Sequence, residues 1–546
     1  MRTFCGRPDN RQEKRDPEQT EAWILGSGIS ALASAFYLVV NAKVPPGQVH
    51  ILDSHTSLLD AIHQRGDPVR GYDQFAGCLP VPVGPPLEKL LASIPSTWGQ
   101  GKSVLDEIRS QSAIRTALSH SHRASFMVQR GGKLRTVPTA SLNLSFRHRI
   151  QLLCFLLKSE RQLRRNAIKD YFDASFFHSI FWAVWSAQFC FQPWHSALEL
   201  KRSLLQYFHD HRSLSLLTCL DITGYYQHES IFLPIFLYLR SIHVDYQFNT
   251  KVENIVTHSD DRQQQSITRL EIVQNGNHLA KNLGRDDIIL MTVGSSVSES
   301  IAGTNDHPPV WNLLELGEPL DENWSLWLAL RNSDARFGDP YQFCTRESES
   351  LLESFTITTG DAIFFQHLWS LSDHQSEAGI FISLQESQWR MNICVPMQPV
   401  FSDQPPSVRV IWGFATLPAR KGDYVKKPML QCSGQEILAE MLWQLNIRRP
   451  PDRQSTVTIP RLMPRMSASL LARAQNDRPE ILPRGTCDIG LVGQFVEIPH
   501  ISSVDVSYSV RSAEIAVSRL MGVEVGQGLS CRLSFSALFL GSFLCF

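Results

Sequence analysis

The sequence predicts an α/β fold whose parallel sheet is assembled from distant parts of the chain. Three stretches carry that reading. Residues 23–53 run WILGSGISALASAFYLVVNAKVPPGQVHILD, a strand, a glycine turn, an Ala-rich helix and a second strand. Residues 244–256 (VDYQFNTKVENIV) and 287–294 (DIILMTVG) are short β-branched runs that read as strands. Residues 490–499 (GLVGQFVEIP) lead into a helical segment around Val510 to Ala513 and read as a last return to the same sheet.

Taken in order, Trp23 to Leu25 form the first strand, Gly26-Ser27-Gly28 the tight turn, and Ile29 to about Asn41 the helix. Val44-Pro-Pro-Gly is a loop, and Val49 to Leu52 form a strand ending at Asp53. This is a βαβ unit of the Rossmann type. Its glycines permit close backbone approach, its helix start offers unpaired N–H groups to a diphosphate, and its terminal acid can accept from ribose hydroxyls. The third glycine position holds Ala31, and glycine turns that bind nothing occur. Here strand, turn, helix, second strand and acid agree. No Arg stands beside Asp53 to grip a 2′-phosphate, which favours FAD or NAD over NADP.

Composition narrows the rest. The 546 residues amount to roughly three to four domains' worth of chain. Apolar residues make up 43% and charged residues 19%, enough to bury a large core. Lys and Arg number 52 against 53 acids, so no basic surplus supports nucleic-acid binding. The 11 cysteines include no C-x-x-C, which argues against a zinc ribbon or a secreted disulfide framework and for a reducing, cytoplasmic setting. No metal site is expected.

Residues 174–198 hold eight Phe and Trp side chains, and Phe177, Phe181 and Trp185 share one helical face. They read as a core helix or as the wall of an apolar ligand channel, and residues 231–239 invite the same two readings. The charged first 22 residues read as a mobile arm. Residues 533–546 are apolar and too short to span a bilayer, which leaves a membrane-surface contact, a dimer contact or a buried tail.

Several longer runs, in order, resemble one family. FQPWHSALELKR (191–202), GFATLPARKGDYVKKPM (413–429), GQFVEIP (493–499) and YSVRSAEIAV (508–517) are similar to segments of the oleate hydratases, also called myosin-cross-reactive antigen proteins. SIPS (93–96), SVLDEI (103–108), ESFTIT (353–358) and QESQWRMNICVPMQP (385–399) extend the likeness from about Trp23 to Val523. The resemblance implies a Rossmann-type FAD-binding domain, discontinuous in sequence, with an inserted α+β substrate domain and a helical C-terminal region. The expected divisions are an arm (1–22), FAD-binding segments (23–140 and 244–305), a mainly helical lid (141–243), a substrate domain (306–460), a returning segment (461–525) and an apolar tail (526–546). The implied reaction adds water to an isolated double bond of a long-chain unsaturated fatty acid, with FAD organising the site. A homodimer with peripheral membrane contact through the tail is expected.

The same comparison exposes departures. The family assigns water activation to a Glu in an RGGREM loop and proton donation to a Tyr in an RRY triplet. FAGCLP (75–80) puts Leu79 at the Glu, and KRS (201–203) puts Ser203 at the Tyr. Neither side chain can do the family's acid–base work. Gln227 keeps its place in YYQHES, flanked by Tyr226 and His228. These three, with Asp73, Glu88, Tyr72, Tyr207, Tyr225 and Glu229, are the substitutes near in sequence. For FAD, the expected contacts are Gly26, Gly28, Ile29, Ser30, Asp53, Gly77, Val252, Gly294, Gly493, Gln494 and Val496, with Val293 where the family has Asn. Three functions stay open: water addition or elimination, isomerisation or cyclisation on a fatty-acid or polyene substrate; flavin oxidation of a lipid-like substrate; and non-catalytic FAD or lipid binding.

Overall fold

The computed structural model describes residues 14–56, 66–73, 86–96, 101–110, 125–137, 144–207, 228–259, 265–310, 320–372 and 379–523. A five-stranded parallel sheet organises the first body. Its strands lie in the order Ile489–Val492, Ile288–Thr292, Ala22–Leu25, Val49–Leu52, Asp245–Gln247. Chain order runs outward from the central Ala22–Leu25 in both directions, which makes that strand the topological switch point. Its four residues are all buried, as expected of a parallel strand covered on both faces. The Ile29–Val40 helix packs against the long Val506–Met521 helix, and Ala31, Ala35, Ala513 and Ala516 are fully buried in the shared core.

An eight-stranded sheet forms the second body. Its order is Ile301–Ala302, Thr456–Met463, Leu352–Thr359, Arg409–Ala415, Met391–Val395, Ile380–Leu384, Ser125–Arg130, Lys133–Thr136. All neighbours run antiparallel except Ile380–Leu384 beside Ser125–Arg130. Alternation gives two apolar faces. Phe355, Ile357, Ile393 and Ile411 share one core with Ile437 and Met441 of the Gly434–Gln444 helix. Trp412, Phe414, Phe126 and Phe381 share the other with Ala183, Val184 and Ala187 of the Ile180–Phe189 helix. The aromatic block therefore straddles two cores, because Phe181, Trp182 and Trp185 of that helix join Phe172, Phe176, Leu200 and Leu204 in a third.

Two placements differ from the sequence reading. The run 244–256 is not one strand: it breaks at Asn249, whose φ of 50° is left-handed, and whose N–H donates to the His55 carbonyl. Asp245–Gln247 closes the parallel sheet, while Thr250–Ser259 enters a separate antiparallel meander with Gln265–Gln274 and Asn277–Asn282. Ser125–Thr136, read as part of the first nucleotide-binding segment, lies in the eight-stranded sheet. Gly131 and Gly132, at φ 58° and 69°, turn it into a tight hairpin that adds to the Ile380–Leu384 edge. Toward the end of the N-terminal segment, Arg15 donates to the carbonyls of Asp286 and Cys487 and Thr20 is buried, so residues 15–22 dock onto the sheet.

Gly294 sits at the carboxyl end of Ile288–Thr292 with φ 65°, and an added Cβ would stand 2.8 Å from Phe495 and 2.9 Å from Trp324. Gly294→Ala is expected to destabilise the protein by about 2–3 kcal/mol in urea unfolding. A loss below about 0.5 kcal/mol would contradict this packing.

Candidate functional site

The carboxyl ends of the parallel strands converge on one crevice. Gly26, at φ 109°, turns the chain out of the central strand, and its N–H donates to the Leu52 carbonyl. Gly28 begins the Ile29–Val40 helix with no side-chain cap, and a Cβ placed on it would meet nothing within 4 Å. The first-turn N–H groups of Ile29, Ser30 and Ala31 have no acceptor within their own helix, the arrangement that diphosphate binding uses. Ser30 Oγ lies 3.2 Å from Thr292 Oγ1 at the end of the neighbouring strand. Gly493 follows the outermost strand at φ 109°, and a Cβ on it would sit 3.4 Å from Thr292 and 3.8 Å from Ser30 Oγ. Gly26, Ser30, Thr292 and Gly493 therefore meet around the turn.

Asp53 is buried at the end of the second strand. Its Oδ1 accepts from the His55 N–H at 3.0 Å and pairs with His55 Nδ1 at 2.7 Å, while its Oδ2 accepts from the Tyr246 hydroxyl at 2.8 Å. The bond to Asp53 raises the His55 imidazole above its usual pKa. A carboxylate has about four acceptor directions and three are taken, so one, on Oδ2, remains for a ribose hydroxyl.

The Glu322–Ser333 helix closes the crevice from the side. Asp321 caps it through the Asn323 N–H, and Asn323 Oδ1 would lie 3.2 Å from a Cβ on Gly26. Glu322 Oε1 accepts from the Val252 N–H at 2.8 Å, which makes buried Val252 a brace for this acid. Burial pushes the Glu322 carboxyl up to about 7, against the pull of the Val252 N–H and the Ser54 hydroxyl. Burial likewise raises Asp321. Asp53, Asp321 and Glu322 together disfavour a 2′-phosphate here. The crevice fits a dinucleotide such as FAD.

On the far side, Gln494 donates from Nε2 to the Ser503 carbonyl at 2.8 Å and accepts from Ser296, joining the loops after two strands. Val496 is buried, and its carbonyl accepts from the Tyr508 hydroxyl at 2.7 Å. The next residue, Glu497, enters a buried ionic network. Arg202 donates to Glu160 at 2.8 Å and Glu497 at 2.7 Å, and Arg473 donates to Glu199 at 2.6 Å. Arg478 lies 3.4 Å from Glu199 and donates to the Ser469 carbonyl and Ser503 Oγ. Burial alone would raise the Glu199 carboxyl, but Arg473, Arg478 and Arg202 hold it down at about 2.

Ser203 is fully buried on the Ala197–Tyr207 helix, one residue from Arg202, and its hydroxyl donates to the Leu200 carbonyl at 3.2 Å. Nearby, burial pushes His195 down to about 4, so it is neutral; its Nδ1 accepts from the Gln192 N–H and its Nε2 lies 3.2 Å from the Glu349 carbonyl. It is a satisfied core histidine. Among the sequence candidates, Asp73 is held in a two-pronged contact by Arg461, whose Nη1 also reaches Ser300 Oγ at 2.8 Å. The Tyr72 hydroxyl donates to Asp403, Glu88 pairs with Arg109, and Glu229 accepts from the Ser402 N–H. Gly77, Leu79, Tyr225, Tyr226 and Gln227 lie outside the described residues, as do the side chains of Tyr207 and His228.

Residues 19–518 match the MCRA family model. The chain belongs to the MCRA family. An oleate hydratase of Streptococcus pyogenes serotype M49 (strain NZ131) is 27% identical over 94% of this chain and 87% of its own length. A linoleate hydratase of Lactiplantibacillus plantarum is 26% identical over 92% of this chain and 94% of its own. A solved oxidoreductase from Methanosarcina mazei has 10% identity and a TM-score of 0.47, covering 90% of this chain and 99% of its own, too loose a likeness to carry an argument.

In this MCRA chain the glycine turn and Asp53 were legible as a site, whereas Tyr246, His55, Thr292 and Glu322 were not. Only Asp321-Glu322 left a signal, an N-cap and first-turn acid ahead of the apolar run LWLAL.

Glu322 yields a pH test. Its folded pKa exceeds the unfolded value, so its ionisation weakens the fold progressively from about pH 4.5 to above pH 7. Glu322→Gln keeps an acceptor for Val252 and is expected to raise stability by about 2–3 kcal/mol at pH 8 and little at pH 5. Equal effects in thermal melts at both pH values would refute the assignment.

Proposed function

We propose that this protein is an FAD-dependent lyase of the oleate hydratase type, acting on a long-chain unsaturated fatty acid or polyene acyl substrate. The carrying observation is the open, uncapped helix start at Gly28, in a chain whose curated relatives are named oleate and linoleate hydratases. In this reading Gly26, Gly28, Ile29 and Ser30 bind the diphosphate and Asp53 the ribose. Gly294, Gly493, Gln494 and Val496 shape the flavin side, Val252 acts through Glu322, and Gly77 is assigned to the flavin from the sequence alone. Bound FAD orders the site rather than taking up a hydride.

The acid–base pair is the altered part. Ser203 spends its hydroxyl on its own helix, and a serine is too weak an acid to protonate an alkene. Leu79 cannot orient water. Asp73 enters the segment that contains Leu79 and, salt-bridged to Arg461, can accept from a water but is poorly suited to donate. The proton donor is therefore sought among Tyr226, Gln227 and His228, where a tyrosine or a histidine has the right chemistry. A cytoplasmic homodimer, with the segment boundaries given above except that Ser125–Thr136 joins the eight-stranded sheet and residues 15–22 the parallel one, and with a tail that touches membrane, completes the reading. No helix among the described residues is long and apolar enough to cross a membrane.

Purified protein loaded with FAD and incubated with oleate, linoleate and polyene acids should convert at least one of them, seen as the mass gain of one water or as a shifted isomer. Unchanged substrates throughout would sink the proposal. Substrate-dependent bleaching of the oxidised flavin without air would replace it with flavin oxidation of a lipid.

A further inference from the structure

The Phe146–Leu157 helix carries an apolar stripe on its outer side. Phe146 is 74% exposed, Ile150 47% and Leu157 70%, and these positions, with the exposed Cys154, fall on one face at helical spacing. The inner side is the ordinary one: Leu152, Phe155 and Leu156 are buried against Phe172 and Phe176. A helix apolar on both sides does not need its outer stripe for folding, and an exposed run of large side chains marks a contact surface.

Charge decides what it contacts. Between residues 144 and 170 the chain carries seven Lys and Arg against two acids, in a protein whose net charge is only -1. One of those acids, Glu160, is turned inward to Arg202. Arg147, Arg161, Arg165 and Lys169 are exposed on this helix and in the segment that follows it, Arg147 lying 2.9 Å from Asp173. Large exposed apolar side chains on a segment rich in exposed cations are the pattern of a helix lying in the plane of an anionic bilayer.

We propose that this helix face seats the protein on an anionic lipid surface, independently of the C-terminal tail. Phe146, Ile150 and Leu157 enter the acyl boundary while the surrounding cations meet phosphate headgroups. The inner side of the same helix belongs to the aromatic core that also holds Leu200 and Leu204, one residue from Ser203. The docked surface thus lies over the body that carries the candidate acid–base position.

Flotation of the full chain with vesicles tests this. The protein should float with phosphatidylglycerol vesicles, with binding at least about tenfold weaker to pure phosphatidylcholine vesicles. Phe146→Ser/Leu157→Ser and, separately, Arg161→Glu/Lys169→Glu should each cut binding to phosphatidylglycerol by at least about tenfold without changing the melting temperature. Parent-like flotation of both variants would overturn the proposal and pass the anchor to another segment. Light scattering that shows a parent dimer becoming a monomer in Phe146→Ser/Leu157→Ser would also overturn it, because the stripe would then join two copies. Flotation is read without turnover, so failure here leaves the hydration reading standing.

Discussion

Glu199 lies fully buried against Arg202, Arg473 and Arg478, and through Arg202 and Arg473 it is tied to Glu497 in the loop after the last parallel strand. Everything at the crevice depends on such long-range ties, since its rim comes from strands at both ends of the chain. Three arginines and the three carboxylates of Glu160, Glu199 and Glu497 balance in charge, so none is left buried with an uncompensated charge. Such a network contributes little net stability compared with an apolar core of the same shape, but removing one partner is costly, which fixes one arrangement. The family's QPWHSALELKR and GQFVEIP runs meet here, one supplying Glu199 and Arg202, the other Glu497. Their shared role is architectural: they hold the Ala197–Tyr207 helix against the loop after the last parallel strand.

That architecture leaves position 203 outside the ion pairs. Ser203 rides on the helix that Glu199 and Arg202 anchor, but its own hydroxyl takes no part in the network. A residue at that position can be exchanged without disturbing the ion pairs one residue away. Asp73 is fixed by the other sheet: Arg461 of the Thr456–Met463 strand grips it, and Ser300 shares the same guanidinium. Two bodies thus each present a rigidly held side chain, Ser203 bonded to its own helix and Asp73 salt-bridged to Arg461.

How much of this was legible in the sequence follows from how local the signals are. The βαβ unit was, because strand, glycine turn, helix and terminal acid all lie within residues 23–53. The returning strands at 287–294 and 490–499 were as well, being short apolar runs ending in glycine. The break at Asn249 was not, since a polar residue in a β-branched run gives no sign that its φ turns positive. The Ser125–Thr136 hairpin was hidden because its partner strand lies far along the chain. Tyr246 and Glu322 reach the crevice through tertiary packing alone, which no spacing announces. Motif likeness singled out Ser203 and Leu79 but could not tell that Ser203 bonds its own helix.

The central claim is that the uncapped helix start at Gly28 holds the diphosphate of FAD. Gly28 has an ordinary φ of −72° and empty space around its Cβ, so Gly28→Val fills the crevice without straining the backbone. The most direct measurement is FAD titration of the parent and of this variant, each with its thermal transition. The account predicts that the parent binds FAD and that the variant keeps its fold but loses at least about a hundredfold in affinity. Equal FAD binding by both proteins would contradict it.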